Sequence, residues 1–366
     1  MVQTKKIVVV AGARPNFMKI ALLVERLKKN WRVECLLVHT GQHYDFEMSE
    51  VFFQDLRIPT PDIFLNVGSG SHAEQTAKIM TSFERVLIDE KPDLVVVAGD
   101  VNSTLACSLT AAKLHIKVAH IESGLRSFDR TMPEEINRVV TDALSDIHLV
   151  SEKSGVENLL REGAGKKSIH LVGSVMIDPL VSKMKLIDKS KIIRRIGLKP
   201  REYAVLTLHR PSNVDSAETL DEIYNILAAL CDKIRLVYPI HPRTKISMKS
   251  HGVLDKFSQL SSLQMMEPLG YIDFLKLVKE SRFVLTDSGS IQEETTFLHI
   301  PCLTMRENTE RPSTVEIGTN KLVGRDKVTI LKAVDCILNG KWRQGRVPKY
   351  WDGCTTERII QVIEKI

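Results

Sequence analysis

Short apolar runs rich in Val, Ile and Leu alternate with amphipathic helical stretches along most of this chain. Six such runs lie in the first half, among them residues 7–11, 94–98 and 118–121, and a second series begins at residue 204. Continuous apolar strands separated by helices are typical of parallel sheets covered by helices on both faces. The sequence therefore predicts an α/β protein with two doubly wound domains.

The two series predict the following elements. Strands of the first series are expected at residues 7–11, 33–39, 94–98, 118–121, 147–150 and 169–172, with helices at residues 17–29, 73–89, 103–114 and 134–144. Strands of the second are expected at residues 204–208, 236–240, 283–286 and 302–305, with helices at residues 220–230, 271–279 and 291–298. Residues 179–200 are interpreted as a connecting helix and linker. We expect one domain over residues 1–175 and another over residues 176–354.

Composition limits the partners of such a chain. Lys and Arg number 51 against 45 Asp and Glu, a net charge of +6, and only 5% of residues are aromatic. A basic chain with few aromatics favours small phosphorylated ligands over single-stranded nucleic acid. The 6 cysteines form no CxxC pair, and no apolar run approaches the roughly 18 residues of a membrane span. We therefore expect a cytoplasmic protein with reduced cysteines and neither a nucleic-acid nor a membrane partner.

Carboxylates follow two of the predicted strands. Asp100 comes after residues 94–98 and Glu122 after residues 118–121, while Glu134 follows a proline at a predicted helix start. A helix cap could explain Asp100, and dipole stabilisation could explain Glu134. Together they would place three acids at one rim of one sheet, an arrangement that suits acid and base steps.

The first strand leads into the motif GARPNFMK, residues 12–19. Gly12 permits a tight turn, and the helix that follows would present its N-terminal amides to an anion. Arg14 and Lys19 add positive charge there. The motif predicts a phosphate site, although two solvated side chains at a helix start explain it equally well.

The second domain carries further anion-binding signals. His209 and His241 each follow a predicted strand and have an arginine nearby, which favours an anion site. The strongest local signal is TDSGSIQEE, residues 286–294, where a strand opens into a Ser-Gly-Ser turn and a helix. Groups expected to bind a nucleoside diphosphate here are the amides and hydroxyls of Ser288, Gly289 and Ser290, the Glu294 carboxylate for a ribose diol, and Arg311 for phosphate charge.

Motifs for metals and redox cofactors are missing from the sequence. There is no D-x-D, no HExxH and no GxGxxG. We therefore expect no metal and no NAD.

Eight motifs occur here in the order found in one family: GARPNFMK, TGQHYD, GDVNST, HIESGLRS, MPEEINR, HRPSNVD, TDSGSIQEE and TERPS. On these residues, from about Lys6 to about Gly324, the chain resembles the non-hydrolysing UDP-N-acetylglucosamine 2-epimerases. The resemblance implies two Rossmann-like domains facing a central cleft, as in GT-B glycosyltransferases. It also implies that the last helix, residues 355–366, packs back on the first domain, that the protein is a homodimer, and that no cofactor is needed.

The resemblance also implies roles for residues of this chain. Asp100, Glu122 and Glu134 would be the catalytic acids, with Arg138 supporting them and Lys19 as an essential cation. His209 would assist the departing UDP, and Phe274 would lie where the uracil is held. The remaining implied substrate ligands are Arg14, Ser288, Gly289, Ser290, Glu294 and Arg311.

The implied reaction interconverts UDP-N-acetylglucosamine and UDP-N-acetylmannosamine through 2-acetamidoglucal. A hydrolysing epimerase, an epimerase of a UDP-diacetamido-uronic acid, a GT-B glycosyltransferase and a UDP-sugar sensor are the alternatives. The segments at residues 42–46 and 209–213 differ from the QHREM and HRREN of bacterial members. Because those segments line the family's allosteric site, we expect its regulation to differ here.

Overall fold

The computed structural model describes residues 4–41 and 59–365. The described residues form two compact α/β units, one made of residues 1–182 and 349–366 and the other of residues 183–348. Each unit contains one fully parallel sheet with helices between its strands. The predicted fold class of two doubly wound parallel-sheet domains is confirmed.

The sheet of the first unit has seven strands in the order β3-β2-β1-β4-β5-β6-β7. The strands are β1 (Lys5–Ala11), β2 (Val33–His39), β3 (Ile63–Phe64), β4 (Leu94–Ala98), β5 (Lys117–Ile121), β6 (Ile147–Val150) and β7 (Ile169–Leu171). The helices of this unit are α1 (Arg14–Lys28), α2 (His72–Glu90), α3 (Asn102–Lys113), α4 (Pro133–Leu144), α5 (Lys153–Arg161), α6 (Ile177–Lys189), which crosses the unit boundary, and α16 (Thr355–Glu364).

The sheet of the second unit has six strands in the order β10-β9-β8-β11-β12-β13. The strands are β8 (Tyr203–Thr207), β9 (Arg235–Pro239), β10 (Leu263–Met266), β11 (Phe283–Thr286), β12 (Cys302–Thr304) and β13 (Asn320–Leu322). The helices are α7 (Ile192–Arg195), α8 (Pro211–Val214), α9 (Ala217–Cys231), α10 (Pro242–Ser250), α11 (Leu254–Ser258), α12 (Tyr271–Glu280), α13 (Gly289–Phe297), α14 (Pro312–Glu316) and α15 (Lys327–Leu338).

The central strands are buried on both faces, which explains their unbroken apolar sequences. All five residues of β4 are buried, and Val95 and Val97 pack with Ile79 and Phe83 of α2. In the second unit, Leu206 and Leu285 lie in one cluster with Leu227 of α9 and other apolar side chains. The cores hold the strands rigidly, so the residues that follow each strand are placed on a fixed frame.

Local signals set where individual helices begin. At α2, the Ser71 hydroxyl accepts a hydrogen bond from the Glu74 N–H at 3.3 Å, and the Glu74 carboxylate accepts one from the Ser71 N–H at 3.1 Å. This capping box satisfies two amides that the helix cannot bond internally.

The last helix, α16, lies in the first unit. Asp178 of α6 accepts hydrogen bonds from the N–H groups of Thr355 and Thr356, at 3.1 and 2.6 Å. Trp351, only 1% exposed, donates its indole N–H to the Ser151 carbonyl at 2.9 Å. The helix is therefore fixed to residues of the first unit through buried polar contacts.

Candidate active site

The turns after β4 and β5 lie next to each other at the carboxyl edge of the first sheet. The two strands pair in parallel with Ala98 opposite Ile121, and the Gly99 N–H donates to the Ile121 carbonyl at 3.0 Å. Asp100 follows one strand and Glu122 the other. The fold thus brings both of these sequence-predicted acids to one rim of the sheet.

Glu122 forms a buried ion pair with Lys19 of α1. The Lys19 ammonium lies 2.6 Å from the Glu122 carboxylate, and the two side chains are 9% and 4% exposed. Lys19 reaches across Gly99, where a Cβ atom would lie 2.5 Å from its Nζ. Glu122 itself has a φ of 69°, in the left-handed region that few residues other than glycine adopt. A strained backbone and a short ion pair together fix this carboxylate.

Asp100 is held by a cation from α4. Arg138 places one guanidinium nitrogen 2.5 Å from the Asp100 carboxylate and another 2.6 Å from that of Glu135. Asn137 donates to the Asp100 carbonyl at 2.9 Å. Glu135 in turn accepts hydrogen bonds from the N–H groups of Ser127 and Phe128. The Asp100 side chain keeps 27% of its surface exposed, so it is positioned but accessible.

Glu134 differs from the two other acids. It lies in the first turn of α4 and is partly exposed, and within the described part of the chain its carboxylate has no hydrogen bond or ion pair. The neighbouring Glu135 is 2% exposed, pairs with Arg138 and accepts hydrogen bonds from the N–H groups of Ser127 and Phe128. The side chain of Arg14 lies outside the described residues, as do residues 42–46.

Beneath these turns lies a cluster of buried polar side chains that sequence reasoning missed. Asp142 of α4 accepts hydrogen bonds from His120 at 2.6 Å and from Ser123, and it pairs with Arg126 at 2.7 Å. Burial alone would raise the pKa of Asp142, but His120, Arg126 and Ser123 together bring it below its usual range. His120 is a strand residue in the sequence, and its partner lies 22 positions away. No local pattern could have revealed the pair.

In the second unit, His209 lies after β8 and pairs with a buried acid. Its Nδ1 is 2.9 Å from the carboxylate of Asp287, which is fully buried. Asp287 also accepts from the N–H groups of His209 and Arg210 and from the Asn213 amide. Burial raises the pKa of Asp287, but these hydrogen bonds and the His209 ring outweigh it and lower the pKa. His241, at the start of α10, lies with its ring centroid 5.4 Å from that of His209.

Asp287 is a second residue that the sequence analysis missed. It follows the apolar strand β11 directly, which is the same signal that singled out Asp100 and Glu122. The sequence analysis assigned the function of this segment to the neighbouring Ser-Gly-Ser turn and did not consider Asp287. Applying the strand-end rule to every strand would have found it.

The Ser-Gly-Ser turn lies where the sequence predicts it, at the start of α13. Ser288 and Ser290 bring their hydroxyl oxygens within 3.2 Å of each other, and both residues are partly exposed. Arg311 lies over Gly289, where a Cβ atom would be 2.8 Å from its Nη1. Glu293 accepts a hydrogen bond from Arg311 Nε at 2.6 Å. Helix amides, hydroxyls and a guanidinium therefore meet at one place, which suits an anion.

Glu294 and Phe274 lie deeper in the same unit. Glu294 is 4% exposed, and burial and the neighbouring Glu293 raise its pKa to about 8, an increase that the adjacent Tyr271 opposes. Phe274, on α12, is partly buried against a cluster that includes Leu277 and Ile291. The structure places both residues in the unit that carries the Ser-Gly-Ser turn.

Residues 4–41 and 59–365 contain no group of three or more His, Cys, Asp or Glu side chains arranged to hold a metal ion. Every helix in that part of the chain is too short or too polar to cross a membrane.

Two parallel-sheet units, with acids at the strand ends of one and a Ser-Gly-Ser turn at a helix start in the other, define an enzyme with a GT-B-like fold. The sequence profile of the UDP-N-acetylglucosamine 2-epimerases matches residues 25–364. The chain belongs to this family, whose members are isomerases.

Two curated relatives show how far the similarity extends. The chain is 42% identical to a UDP-N-acetylglucosamine 2-epimerase of Methanocaldococcus jannaschii, with 98% of each chain covered. It is 38% identical to a UDP-2,3-diacetamido-2,3-dideoxy-D-glucuronate 2-epimerase of Pseudomonas aeruginosa, over 99% of this chain and 100% of the relative.

A solved structure agrees with these relatives. The crystal structure of a Methanocaldococcus jannaschii UDP-GlcNAc 2-epimerase in complex with UDP-GlcNAc and UDP has a TM-score of 0.90 and 41% identity. The similarity covers 99% of this chain and 100% of that one. Family membership and fold therefore rest on the whole length of the chain.

Proposed function

We propose that this protein catalyses the reversible, non-hydrolysing conversion of UDP-N-acetylglucosamine to UDP-N-acetylmannosamine. The observation that carries the proposal is the pair of strand-end carboxylates, Asp100 and Glu122, each held by a cation from a different helix. Removing a proton from carbon and returning one to the opposite face requires two positioned acid/base groups.

The proposed reaction has two halves. In the first, a carboxylate takes the proton from C2, the electrons of the C–H bond form a C1=C2 double bond, and the C1–O bond breaks. UDP leaves with the electron pair of that bond, and 2-acetamidoglucal is the neutral intermediate. In the second half, UDP adds back to C1 and an acid protonates C2 on the opposite face. Atoms and electrons balance without a redox partner or added water.

The first unit supplies the acid/base groups in this proposal. Asp100, Glu122 and Glu134 serve the two faces of C2, with Arg138 fixing Asp100. Glu134 suits proton exchange because it is partly exposed and its carboxylate has no protein partner among the described residues. Lys19 places a positive charge 2.6 Å from Glu122.

The second unit binds the nucleotide in this proposal. Ser288, Gly289, Ser290 and Arg311 hold the diphosphate, since helix amides and a guanidinium stabilise the charge that develops as UDP departs. His209, oriented by Asp287, assists that departure on the phosphate side, together with the nearby His241. Glu294 receives the ribose hydroxyls and Phe274 lies by the uracil. Arg14 completes the set as a diphosphate ligand.

One relative favours a second candidate substrate. The Pseudomonas aeruginosa protein, 38% identical to this chain, is named for a UDP-diacetamido-glucuronate. A sugar with a C3 acetamido group and a C6 carboxylate undergoes the same chemistry at C2. We therefore propose this substrate as the alternative.

Proton NMR in D₂O tests both candidates, with the purified protein and no added metal or cofactor. Incubation with UDP-N-acetylglucosamine is expected to exchange the C2 proton for deuterium and to produce UDP-N-acetylmannosamine without free UDP. Accumulation of UDP and free sugar would instead identify a hydrolysing epimerase. A reaction only with the diacetamido-uronate identifies the alternative substrate, and an acceptor-dependent product identifies a glycosyltransferase.

We further propose that the enzyme is a homodimer that acts in the cytoplasm and supplies a sugar nucleotide for polysaccharide synthesis. The family resemblance supports the dimer, and the six unpaired cysteines support a reducing compartment. Light scattering of the purified protein measures the mass against that of a 41.3 kDa monomer.

A further inference from the structure

His120 lies in the floor of the first unit with a hydrogen-bond acceptor against each ring nitrogen. The side chain is fully buried. Its Nδ1 is 2.6 Å from the Asp142 carboxylate, and its Nε2 is 2.8 Å from the Gly99 carbonyl oxygen. Carboxylate and carbonyl oxygens accept hydrogen bonds and cannot donate them. Each nitrogen must therefore carry a proton for both contacts to be hydrogen bonds.

A neutral imidazole cannot satisfy both contacts, because it has one N–H and one lone pair. The lone pair would face either the Asp142 carboxylate or the Gly99 carbonyl inside a site without exposed surface. Leaving a buried acceptor without a donor is unfavourable. The geometry thus favours the imidazolium form of His120.

The charges around His120 agree with that form. Asp142 pairs with Arg126, and Arg126 also pairs with Glu162 of the loop after α5 at 2.5 Å. Glu162 is 39% exposed and therefore lies at the surface, outside the buried cluster. Arg126 helps to keep the buried Asp142 carboxylate ionised, so Asp142 can accept a hydrogen bond from His120 but has no proton to donate to it.

The other histidine of the cluster has a different state. His148 of β6 brings its Nδ1 to 2.8 Å from the Ser123 hydroxyl, which itself donates to Asp142. The hydroxyl can only accept from His148, so Nδ1 carries the proton. Burial lowers the pKa of His148, and the positive charges of His120 and Arg126 lower it further against the effect of Asp142. His148 is therefore neutral, and the two histidines differ in charge.

The bonds of His120 connect the two turns that carry the acids. Through Nε2 it holds Gly99, the residue before Asp100. Through Asp142 it contacts the two residues after Glu122, because Asp142 accepts hydrogen bonds from the Ser123 hydroxyl and from the Gly124 N–H, the latter at 2.9 Å. Glu122 has a φ of 69°, which is strained for a residue with a side chain, so its turn needs support from its neighbours; Gly99 adopts the same φ without strain.

We propose that His120 carries a proton on both ring nitrogens and is a positioning residue that locks the Gly99–Asp100 and Glu122–Ser123 turns together. Its protonation rests on the hydrogen-bond geometry alone, whereas its effect on turnover rests on the proposed epimerase function. Asp142, Arg126 and His148 are the charged and titratable groups that face it.

Nitrogen-15 NMR of the histidine-labelled wild-type protein tests the protonation state. At pH 8 an ordinary histidine is neutral and has one nitrogen without a proton. We expect both ring nitrogens of His120 to remain protonated at pH 8, while His148 shows one protonated and one unprotonated nitrogen. An unprotonated nitrogen on His120 at that pH overturns the proposal. This measurement needs neither a variant nor activity.

His120→Gln tests the effect on turnover. A glutamine amide carries both of its N–H groups on one nitrogen, so it does not reproduce two donors at opposite ends of a ring, one to Asp142 and one to Gly99. We expect kcat to fall about 10- to 100-fold with the KM for the UDP-sugar within about twofold. His170→Gln is the matched control, since His170 lies on β7 of the same sheet outside the cluster. Its kcat should stay within about twofold of the wild type.

Equal losses in the two variants, or a loss confined to KM, would contradict the positioning role. UDP binding and the thermal midpoint show whether His120→Gln has folded. If it does not fold, Asp142→Asn provides the second variant, with the same expected fall in kcat. An inactive wild-type protein whose His120 is doubly protonated would refute the proposed function and not the protonation state. An active wild type with a neutral His120 would refute this inference alone.

Discussion

Each of the two units has an acid after the corresponding strand, and the two acids differ in burial and in bonding partners. β4 and β11 occupy the same place in their sheets, each beside the first strand of its unit, and lead to Asp100 and Asp287. Asp100 keeps 27% of its side chain exposed and is held by Arg138. Asp287 is fully buried and accepts hydrogen bonds from three residues that follow β8. One carboxylate is available for chemistry, and the other fixes a loop.

The difference shows that a strand-end acid acquires its role from its partners. In the first unit, cations from α1 and α4 approach Glu122 and Asp100. In the second, the cation beside the Ser-Gly-Ser turn is Arg311, whose side chain is 10% exposed and is held in place by Glu293. In the function proposed above, the same kind of parallel sheet supports acid/base chemistry in one unit and anion binding in the other.

The strongest test removes the acids of the first unit. In Asp100→Asn and Glu122→Gln we expect kcat for epimerisation to fall by about 10²–10⁴, because a general acid or base contributes that much. UDP affinity should stay within about threefold, since Asp100 and Glu122 are not among the proposed UDP ligands. Deuterium exchange at C2 and titration calorimetry with UDP measure the two effects.

Asp287→Asn is the matched control for these variants. Its amide group cannot accept all the hydrogen bonds of the carboxylate, so we expect a lower thermal midpoint, which Asp100→Asn should not show. Wild-type turnover in Asp100→Asn or Glu122→Gln would remove the acid/base assignment and with it the contrast between the units.

The next largest effect concerns the cation of the second unit. Arg311→Ala should weaken UDP binding roughly 10- to 100-fold, as expected for a charge-assisted hydrogen bond of about 1.5–3 kcal/mol. Calorimetry with UDP measures the change. Arg311→Lys keeps a positive charge beside Glu293 and controls for its loss. UDP binding unchanged in the alanine variant would show that Arg311 does not contact the diphosphate.

A pair of glycine substitutions sharpens the contrast between the units, with backbone strain added only at Gly99, whose φ is 69°. An added Cβ atom would meet Lys19 at 2.5 Å in Gly99→Ala and Arg311 at 2.8 Å in Gly289→Ala. We expect the first to lower kcat about tenfold and the second to weaken UDP binding by a similar factor. Steady-state kinetics and UDP titration of both proteins would show this division. The same profile in both variants would mean that the two cations share one role.

The last prediction concerns stability and its pH dependence and leaves turnover aside. Folding raises the pKa of Glu294 from its ordinary 4.5 to about 8 through burial and the charge of Glu293. The folded state therefore favours the protonated carboxyl, and its contribution to stability is complete below pH 4.5 and lost as the pH rises through 8. This loss is of the order of a few kcal/mol.

Glu294→Gln should remove that dependence, because glutamine does not titrate. We expect the thermal midpoint of the variant to exceed that of the wild type by several degrees more at pH 8 than at pH 5. Thermal melts at the two pH values measure it, with Glu218→Gln on the exposed first turn of α9 as the control. Parallel pH curves for wild type and Glu294→Gln would exclude a raised pKa.

The sequence predicted the central strands well and the edges poorly. Residues 33–39, 94–98 and 283–286 were predicted as strands with the bounds that the structure shows. Ile63–Phe64, Leu263–Met266 and Asn320–Leu322 were missed, and all three are edge strands. An edge strand is short or only half buried, so it lacks the continuous apolar sequence that marks a central strand.

The same limit applies to the candidate site. Asp100, Glu122 and the Ser-Gly-Ser turn are visible because a local pattern, a strand followed by a polar residue, places them. The family resemblance implied Arg138 as a support for the acids, but no local pattern pairs it with Asp100 or pairs Asp142 with His120, because both contacts depend on how α4 packs on the sheet. That packing brings together residues 38 and 22 positions apart, which no window along the sequence contains.

The position of α16 has a consequence for how the chain folds during synthesis. The first unit is split, because residues 349–365 complete it after the whole second unit, residues 183–348, has been made. Until then, Asp178 lacks the N–H groups of Thr355 and Thr356, and the Ser151 carbonyl lacks the indole N–H of Trp351. During synthesis, the second unit is therefore complete in sequence before the first, and we expect the first unit to gain its last native contacts only after the second has been made.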